Sequence, residues 1–339
     1  MKALTIVKPH ELKFCEIPEP EPAADEVLID VHYVGLCGSD LNAYRGLMPL
    51  VQFPRIPGHE ISGEIIATGS TVPDAFYAGQ KVMVSPYSNC GVCPACRIGR
   101  MNCCEYNQTL GVQREGAMTQ QIAIHHSKIF SSDKLSFEEL ALVEPLSVGY
   151  HAANRGKVCE VDTVLIFGCG AIGMGAICAC VRKGATVVVI DIDDSKLAQA
   201  QKMGAHHAVN ARNHDVARYI ADLTHNEGAS VTIEAVGLPE TFRQAVELVC
   251  FAGRVVFIGY TKTEVHFDSK LFVQKELDIM GSRNALHVFP SVIQMLEKRE
   301  LSYDSLITKV YPFDQAPQAF EYWDKYPEKV TRLLIDVKS

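Results

Sequence analysis

Residues 164–175 read VLIFGCGAIGMG, and few short stretches restrict a fold as tightly. An apolar β-type run ends on Gly168. Gly168, Gly170 and Gly173 then form G-x-G-x-x-G at the start of a helix-length segment, AIGMGAICACVRKG. The first glycine permits a tight turn, the second lets a pyrophosphate approach the backbone, and the third lets helix and strand pack closely. A helix N-terminus placed there faces the phosphates, and Ile172 belongs to the same cofactor-facing loop. Asp191 ends the next apolar run, TVVVID, where a carboxylate accepts hydrogen bonds from an adenosine ribose diol. It also repels a 2′-phosphate, and Ile192 and Asp193 bring no compensating charge, so the loop favours NAD over NADP. Lys196 reaches the same ribose region or else is a solvated helix residue.

The strand–helix–strand rhythm continues through DSKLAQAQKMG, a helix with Asp194 as its expected N-cap, then SVTIEAVG, ETFRQAVELVC, GRVVFIGY and ELDIMGS. Near-continuous apolar strands alternating with helices imply a parallel sheet covered on both faces. Residues 146–285 are therefore expected to form a doubly wound α/β domain. Residues 1–145 have another character: EVLIDV, EISGEIIATG, QKVMVSP and MTQQIAI are short β-type runs punctuated by Gly and Pro, the pattern of a barrel-like or sandwich-like β domain. The tail, 286–339, offers a helix at VIQMLEKREL and a strand at VTRLLIDV. It is too short for a third independent core and is expected to return to the first domain.

The chain has 339 residues and a formal net charge of −8, with both signs mixed along it. Such a surface repels a phosphate backbone on average, which argues against a nucleic-acid partner. No apolar run reaches the roughly 18 residues a membrane span needs. The N-terminus lacks the apolar core and cleavage site of a secretory signal, so a cytoplasmic location is expected. Twelve cysteines are many for a reducing compartment, where disulfides do not persist, and their spacing points to metal.

In CGVCPACRIGRMNCC, Cys90, Cys93, Cys96 and Cys104 follow C-x2-C-x2-C-x7-C, with Cys103 as an extra thiol. Two-residue gaps turn successive thiolates toward one point, and four thiolates close the tetrahedron of a structural zinc site. Iron–sulfur clusters use similar spacings. Elsewhere Cys37 interrupts the end of a strand in DVHYVGLCGSD, His59 and Glu60 follow a Pro-Gly turn in FPRIPGHEISGEI, and Glu144 precedes proline in ALVEPLSVGY. Thiolate, imidazole and carboxylate together make the borderline set that zinc accepts, and a catalytic zinc keeps one position open.

Taken in order, Cys37 in C-G-S-D, His59-Glu60 in G-H-E, the four-cysteine lobe at 90–104, Glu144 in E-P and the glycine loop resemble the zinc-dependent medium-chain dehydrogenases. The nearest likeness is to sorbitol, threonine and sugar-acid (L-galactonate-type) dehydrogenases. The resemblance implies a GroES-like catalytic domain, a Rossmann domain and a zinc in the cleft between them. It implies Cys37, His59 and Glu60 as catalytic zinc ligands, with Glu144 beside them as an alternative or exchanging ligand. Asp40 would orient His59, and Ser39 would bond the substrate oxygen and begin a proton relay. Arg283, in GSRNA, matches a position near cofactor and substrate in relatives. A homodimer or homotetramer is implied too.

Two departures stand out. Asn42 occupies a position where the family often has histidine, and an amide cannot relay protons as imidazole does. Met118 replaces the usual aromatic, which implies a different substrate wall. The expected activity is NAD-dependent oxidation of a secondary alcohol of a polyol or sugar acid. Its rivals are another alcohol or threonine-type dehydrogenase, a zinc-free NAD(P)H reductase, a cofactor-binding protein without turnover, and a zinc-lobed regulatory or nucleic-acid-binding protein. The His125-His126 and His206-His207 pairs match no ligand spacing.

Overall fold

The run TVLIF, residues 163–167, is a strand near the middle of a six-stranded parallel sheet. The order across that sheet is His207–Asn210, Thr186–Asp191, Thr163–Phe167, Ala229–Glu234, Val249–Phe257 and Asp278–Gly281. All neighbouring pairs run parallel. Val164, Leu165, Ile166 and Phe167 are all fully buried, because helices cover both faces and no alternate residue meets water. The helices Ala171–Arg182, Asp194–Lys202, Val216–Leu223 and Pro239–Glu247 connect the strands. Chain order reverses at Thr163–Phe167, so Gly168 and the residues after Glu234 lie at the switch point where a doubly wound sheet opens a crevice. One expected detail is corrected: Asp193, not Asp194, caps the second helix, its carboxylate accepting from Ser195 N and Lys196 N. Asp194 instead accepts from Asn210 Nδ2 at 2.6 Å.

The computed structural model describes residues 1–339, and they divide into two compact units. One is Pro145–Val288, which holds the parallel sheet; the other joins Met1–Glu144 to Phe289–Ser339. In the second unit a hairpin, Lys2–Lys8 with Glu11–Glu16, accompanies a seven-stranded sheet. Along that sheet run Lys309–Pro312, Leu333–Asp336, Glu26–Leu36, Glu60–Thr68, Lys81–Val84 and Ile129–Ser131, with Gln121–His125 also pairing on Glu26–Leu36. Val27, Ile29, Val31 and Val34 point into a core that also takes Ile61, Ile65, Phe320, Leu333 and Ile335.

The C-terminal strand Leu333–Asp336 gathers residues that are far apart in the chain. Leu334 pairs with Gly35 on one side, and Glu60 pairs with Gly35 on the other. Residues from near positions 35, 60 and 332 therefore converge at one end of the sheet. No helix is long and apolar enough to cross a membrane.

Candidate metal and cofactor sites

The four-cysteine lobe is built by short-range turns. Gly91 and Gly99 take positive φ, and a one-turn helix, Pro94–Arg97, starts on proline. The ligand atoms of Cys90, Cys93, Cys96 and Cys104 all lie within 4.8 Å of one another. Cys93 Sγ and Cys104 Sγ stand 3.9 Å apart. Zinc–sulfur bonds of about 2.3 Å in a tetrahedron require sulfur separations of about 3.8 Å, so the thiols fit one ion. A cluster that places each thiolate on its own iron needs them farther apart. Backbone N–H groups also aim at sulfur: Cys90 N donates to Cys104 Sγ and Cys93 N to Cys90 Sγ, both at 3.3 Å. Backbone hydrogen bonds from Glu105 and Cys96 bring the Cys93 thiol down to about 6. Cys103 stands apart, its sulfur accepting from Arg100 Nη2 at 3.7 Å.

Cys37 sits where the strand Glu26–Leu36 gives way to the helix Gly38–Tyr44. Gly58, with φ of +99°, turns the chain so that His59 and Glu60 enter the next strand facing it. The ligand atoms of Cys37, His59 and Glu60 lie within 4.8 Å of one another, and His59 and Glu60 are buried. Asp40 braces the set: its Oδ2 accepts from Cys37 N at 2.9 Å, and its Oδ1 accepts from Gly58 N at 3.2 Å and stands 3.8 Å from His59 Nδ1. Ser39 Oγ lies 3.5 Å from His59 Nε2. Gly35 provides room for the carboxylate, since a Cβ there would fall 2.2 Å from Glu60 Oε2.

Arg332, which carries no motif in the sequence, completes the site. Its Nη1 donates to Glu60 Oε1 and to Leu36 O, both at 2.7 Å, and the guanidinium is buried. His59 Nδ1 and Glu60 Oε2 are buried and have no hydrogen-bond partner. Buried polar atoms without partners are rare in folded proteins; Glu60 Oε2 is one within the Cys37–His59–Glu60 set, and a cation bound there would satisfy it, so the cluster fits a metal ion. Its protons agree. Burial pushes Glu60 well above the usual carboxylate range, with Arg332 only partly opposing. Burial lowers His59, but the charges of Asp40 and Cys37 outweigh it and hold the imidazole well above its ordinary value. The Cys37 thiol, raised by burial, is brought down to about 7 by the charge of His59 and a hydrogen bond with it. Each of these groups gains from a positive charge at the centre, supplied either by protons or by a metal that displaces them.

Glu144, expected beside the trio as an alternative ligand, is not in the 4.8 Å set. The Tyr87 hydroxyl donates to its Oε1 instead. Asn42 is exposed on the helix after Cys37. Met118 is fully buried in the core, where it offers no surface to a substrate; the expectation of an altered substrate wall is corrected accordingly.

At the glycine loop, Gly168 has φ of +94°, a conformation costly for any residue with a Cβ. A Cβ on Gly173 would lie 1.9 Å from Gly168 O, so only glycine lets the helix start so close to the strand. Around Gly170 the space is open, and no side chain caps the helix Ala171–Arg182 that it begins. An uncapped N-terminus of this length fits an anionic pyrophosphate. Ile172 is half-buried in its first turn. Asp191 is drawn back against the turn: Oδ2 accepts from Cys169 N at 2.7 Å, and Oδ1 accepts from Ile192 N at 2.7 Å and Asp193 N at 3.1 Å. Lys196 is half-buried in the first turn of the next helix, and Arg283 is exposed after the last strand of the sheet. Glu234, unnoticed in the sequence, is fully buried at the end of the neighbouring strand; its Oε1 accepts from Val236 N, Gly237 N and Thr241 Oγ1. An acidic residue inside the apolar run SVTIEAVG is the signal that could have found it.

Comparison with known proteins adds independent findings. A family model described as alcohol dehydrogenase GroES-like domain matches residues 23–134, and one described as zinc-binding dehydrogenase matches 171–298. The chain is 35% identical to sorbitol dehydrogenase of Bacillus subtilis, over 99% of this chain and 97% of the relative. It is 33% identical to L-galactonate-5-dehydrogenase of Escherichia coli K12, over 95% and 94%. A crystal structure from Escherichia coli CFT073, described as a short chain alcohol dehydrogenase complexed with cofactor NADH, superposes with a TM-score of 0.93 at 29% identity, covering 99% of each chain.

Proposed function

The chain belongs to the zinc-dependent medium-chain dehydrogenase family, and on that premise we propose that it oxidises a secondary alcohol of a polyol or sugar acid to the ketone, reducing NAD. The observation that carries this reading is the convergence of Cys37, His59 and Glu60, with the buried Glu60 Oε2 lacking a partner among them. When bound, zinc supplies the Lewis acidity that makes a hydroxyl easier to deprotonate, and the nicotinamide supplies the hydride acceptor. The chain's own residues do the rest. Cys37, His59 and Glu60 hold the metal; Asp40 fixes the Cys37 backbone and the imidazole; Arg332 anchors one oxygen of Glu60 and leaves the other to the metal.

Ser39, next to His59, acts as a relay: its hydroxyl accepts the substrate's proton as it passes its own on to water. Residue 42 carries the proton no farther, because an exposed asparagine side chain has no titratable nitrogen. Cys90, Cys93, Cys96 and Cys104 fill a closed site with a second zinc that braces its lobe. The carboxylate of Asp191 supports NAD as the dinucleotide over NADP. The names of the B. subtilis and E. coli relatives support a polyol or aldonate substrate.

The test is NADH formation across a panel of polyols, aldonates and hydroxy amino acids, with NAD and NADP in parallel. Turnover of a polyol or aldonate with NAD is the expected result. Turnover confined to hydroxy amino acids, or dependent on NADP, would reject the substrate or cofactor assignment.

A further inference from the structure

Glu234 is fully buried at the end of the strand Ala229–Glu234. A carboxyl placed there costs desolvation unless donors satisfy it, and its donors come from the turn and helix that follow. Val236 N donates to Oε1 at 2.8 Å, Gly237 N at 2.7 Å and Thr241 Oγ1 at 2.8 Å. The same residue holds the exit of the next strand, since Ile258 N and Gly259 N donate to its main-chain oxygen at 2.9 and 3.2 Å. Its second carboxyl oxygen faces that loop: a Cβ on Gly259 would fall 2.6 Å from Oε2 and 2.5 Å from Gly237 N. Turn and loop are therefore pressed together over one side chain. On the other flank a Cβ on Gly168 would fall 2.8 Å from Val236 Cγ2, so the turn also rests against the glycine loop, and Val236 stays partly exposed there.

Strand order decides which part of a dinucleotide this turn meets. Thr186–Asp191 lies on one side of Thr163–Phe167 and Ala229–Glu234 on the other. With the adenosine ribose at Asp191 and the pyrophosphate at Gly168 and Gly170, the nicotinamide half extends toward the turn after Glu234. We propose that Glu234 is a positioning residue for NAD: its carboxyl fixes residues 235–238 so that Val236 is seated beside Gly168, where the nicotinamide half passes. The proposal rests on the reading of the glycine loop as the dinucleotide site. Without the carboxyl, Val236 N and Gly237 N lose their acceptor, and a turn that must find new partners no longer holds Val236 in place.

The experiment titrates the full-length, zinc-loaded protein calorimetrically with NAD and, separately, with AMP, which carries the adenosine half alone. Glu234→Ala should weaken NAD by about tenfold, the scale of one lost hydrogen-bonded anchor, and leave AMP within about twofold. A general loosening of the sheet would weaken both. Glu234→Gln, whose Oε1 accepts from the same three donors, should restore NAD to within about threefold of the wild type. In a Val236→Ala background, Glu234→Ala should have a much smaller further effect, because both changes act through the same contact.

Equal losses for NAD and AMP in Glu234→Ala, the same NAD loss in Glu234→Gln, or a full-sized effect persisting in the Val236→Ala background overturns the proposal. If Glu234→Ala does not fold, Thr241→Val decides. With one of its three donors gone the carboxyl is less firmly held, so NAD should weaken about threefold with AMP unchanged. Unaltered NAD binding in that variant, or equal losses for both nucleotides, overturns the proposal. A wild type that binds neither NAD nor AMP overturns the reading of the glycine loop together with the proposal. A wild type that binds NAD, with an indifferent Glu234→Ala, overturns the proposal alone.

Discussion

Arg332 Nη1 lies 2.7 Å from Glu60 Oε1, and the two side chains are only 3% and 0% exposed. They meet because the C-terminal strand Leu333–Asp336 pairs with Glu26–Leu36, placing the guanidinium beside Leu36 O as well. Removing one member of a buried ion pair leaves the other charge uncompensated, which costs about 3–5 kcal/mol. Arg332→Met should therefore lower the stability of the unit formed by Met1–Glu144 and Phe289–Ser339 by that amount. Urea titration of both proteins checks it, and an unmoved midpoint would show that Glu60 does not depend on Arg332.

Gly35→Ala tests the space given to Glu60. The added Cβ would fall 2.2 Å from Oε2, so the carboxylate must leave its place. The zinc at the trio should be lost or bound at least about tenfold more weakly, with the four-cysteine zinc retained. Metal analysis after gel filtration distinguishes this from full retention of both ions, which would mean that Glu60 is not needed as a ligand.

How far the fold and the site were legible in the sequence depended on distance along the chain. Cys90, Cys93, Cys96 and Cys104 announce their convergence because two-residue gaps and glycine turns settle it locally. The run TVLIFGCG is equally readable, since a strand buried on both faces is apolar throughout. Arg332, Tyr87 and Gly35 carried no such mark: each acts on a partner in a different element, brought near by strand pairing or tertiary packing. Met118 misled for the same reason, because a motif comparison gives position but not whether the side chain faces a ligand or the core. The shift of the cap from Asp194 to Asp193 is a one-residue ambiguity between adjacent aspartates, resolved by which carboxylate reaches Ser195 N and Lys196 N.

Acid should loosen the zinc at the trio. The Cys37 thiol is brought to about 7, against the opposing effect of burial, by His59, and His59 is itself held above the ordinary imidazole value by Asp40 and Cys37. Both must be deprotonated to ligate, so lowering the pH through about 7 adds protons that compete with the metal. Affinity measured by chelator competition at about pH 6, 7 and 8 should fall as the pH falls, with more than one proton taken up per zinc released. A flat profile would exclude Cys37 and His59 as ligands.

Asp191→Ala should weaken NAD in two ways, through the lost ribose contact and through the freed Cys169 N–H that now donates to Oδ2 at 2.7 Å. Hydrogen bonds to a charged group contribute about 1.5–3 kcal/mol, so kcat/KM for NAD should fall about 10- to 100-fold. NADP, no longer repelled, should gain relative to NAD. Equal losses for both dinucleotides would assign Asp191 to the turn alone.

The most direct test of the central claim is to remove the zinc at the trio with dipicolinate, leave the four-cysteine zinc in place, and measure NADH formation before and after one equivalent of zinc is returned. The account predicts that activity disappears with the first ion, that NAD still binds, and that activity returns with the added zinc. Full activity in the protein that has lost this zinc would contradict a catalytic metal at Cys37, His59 and Glu60.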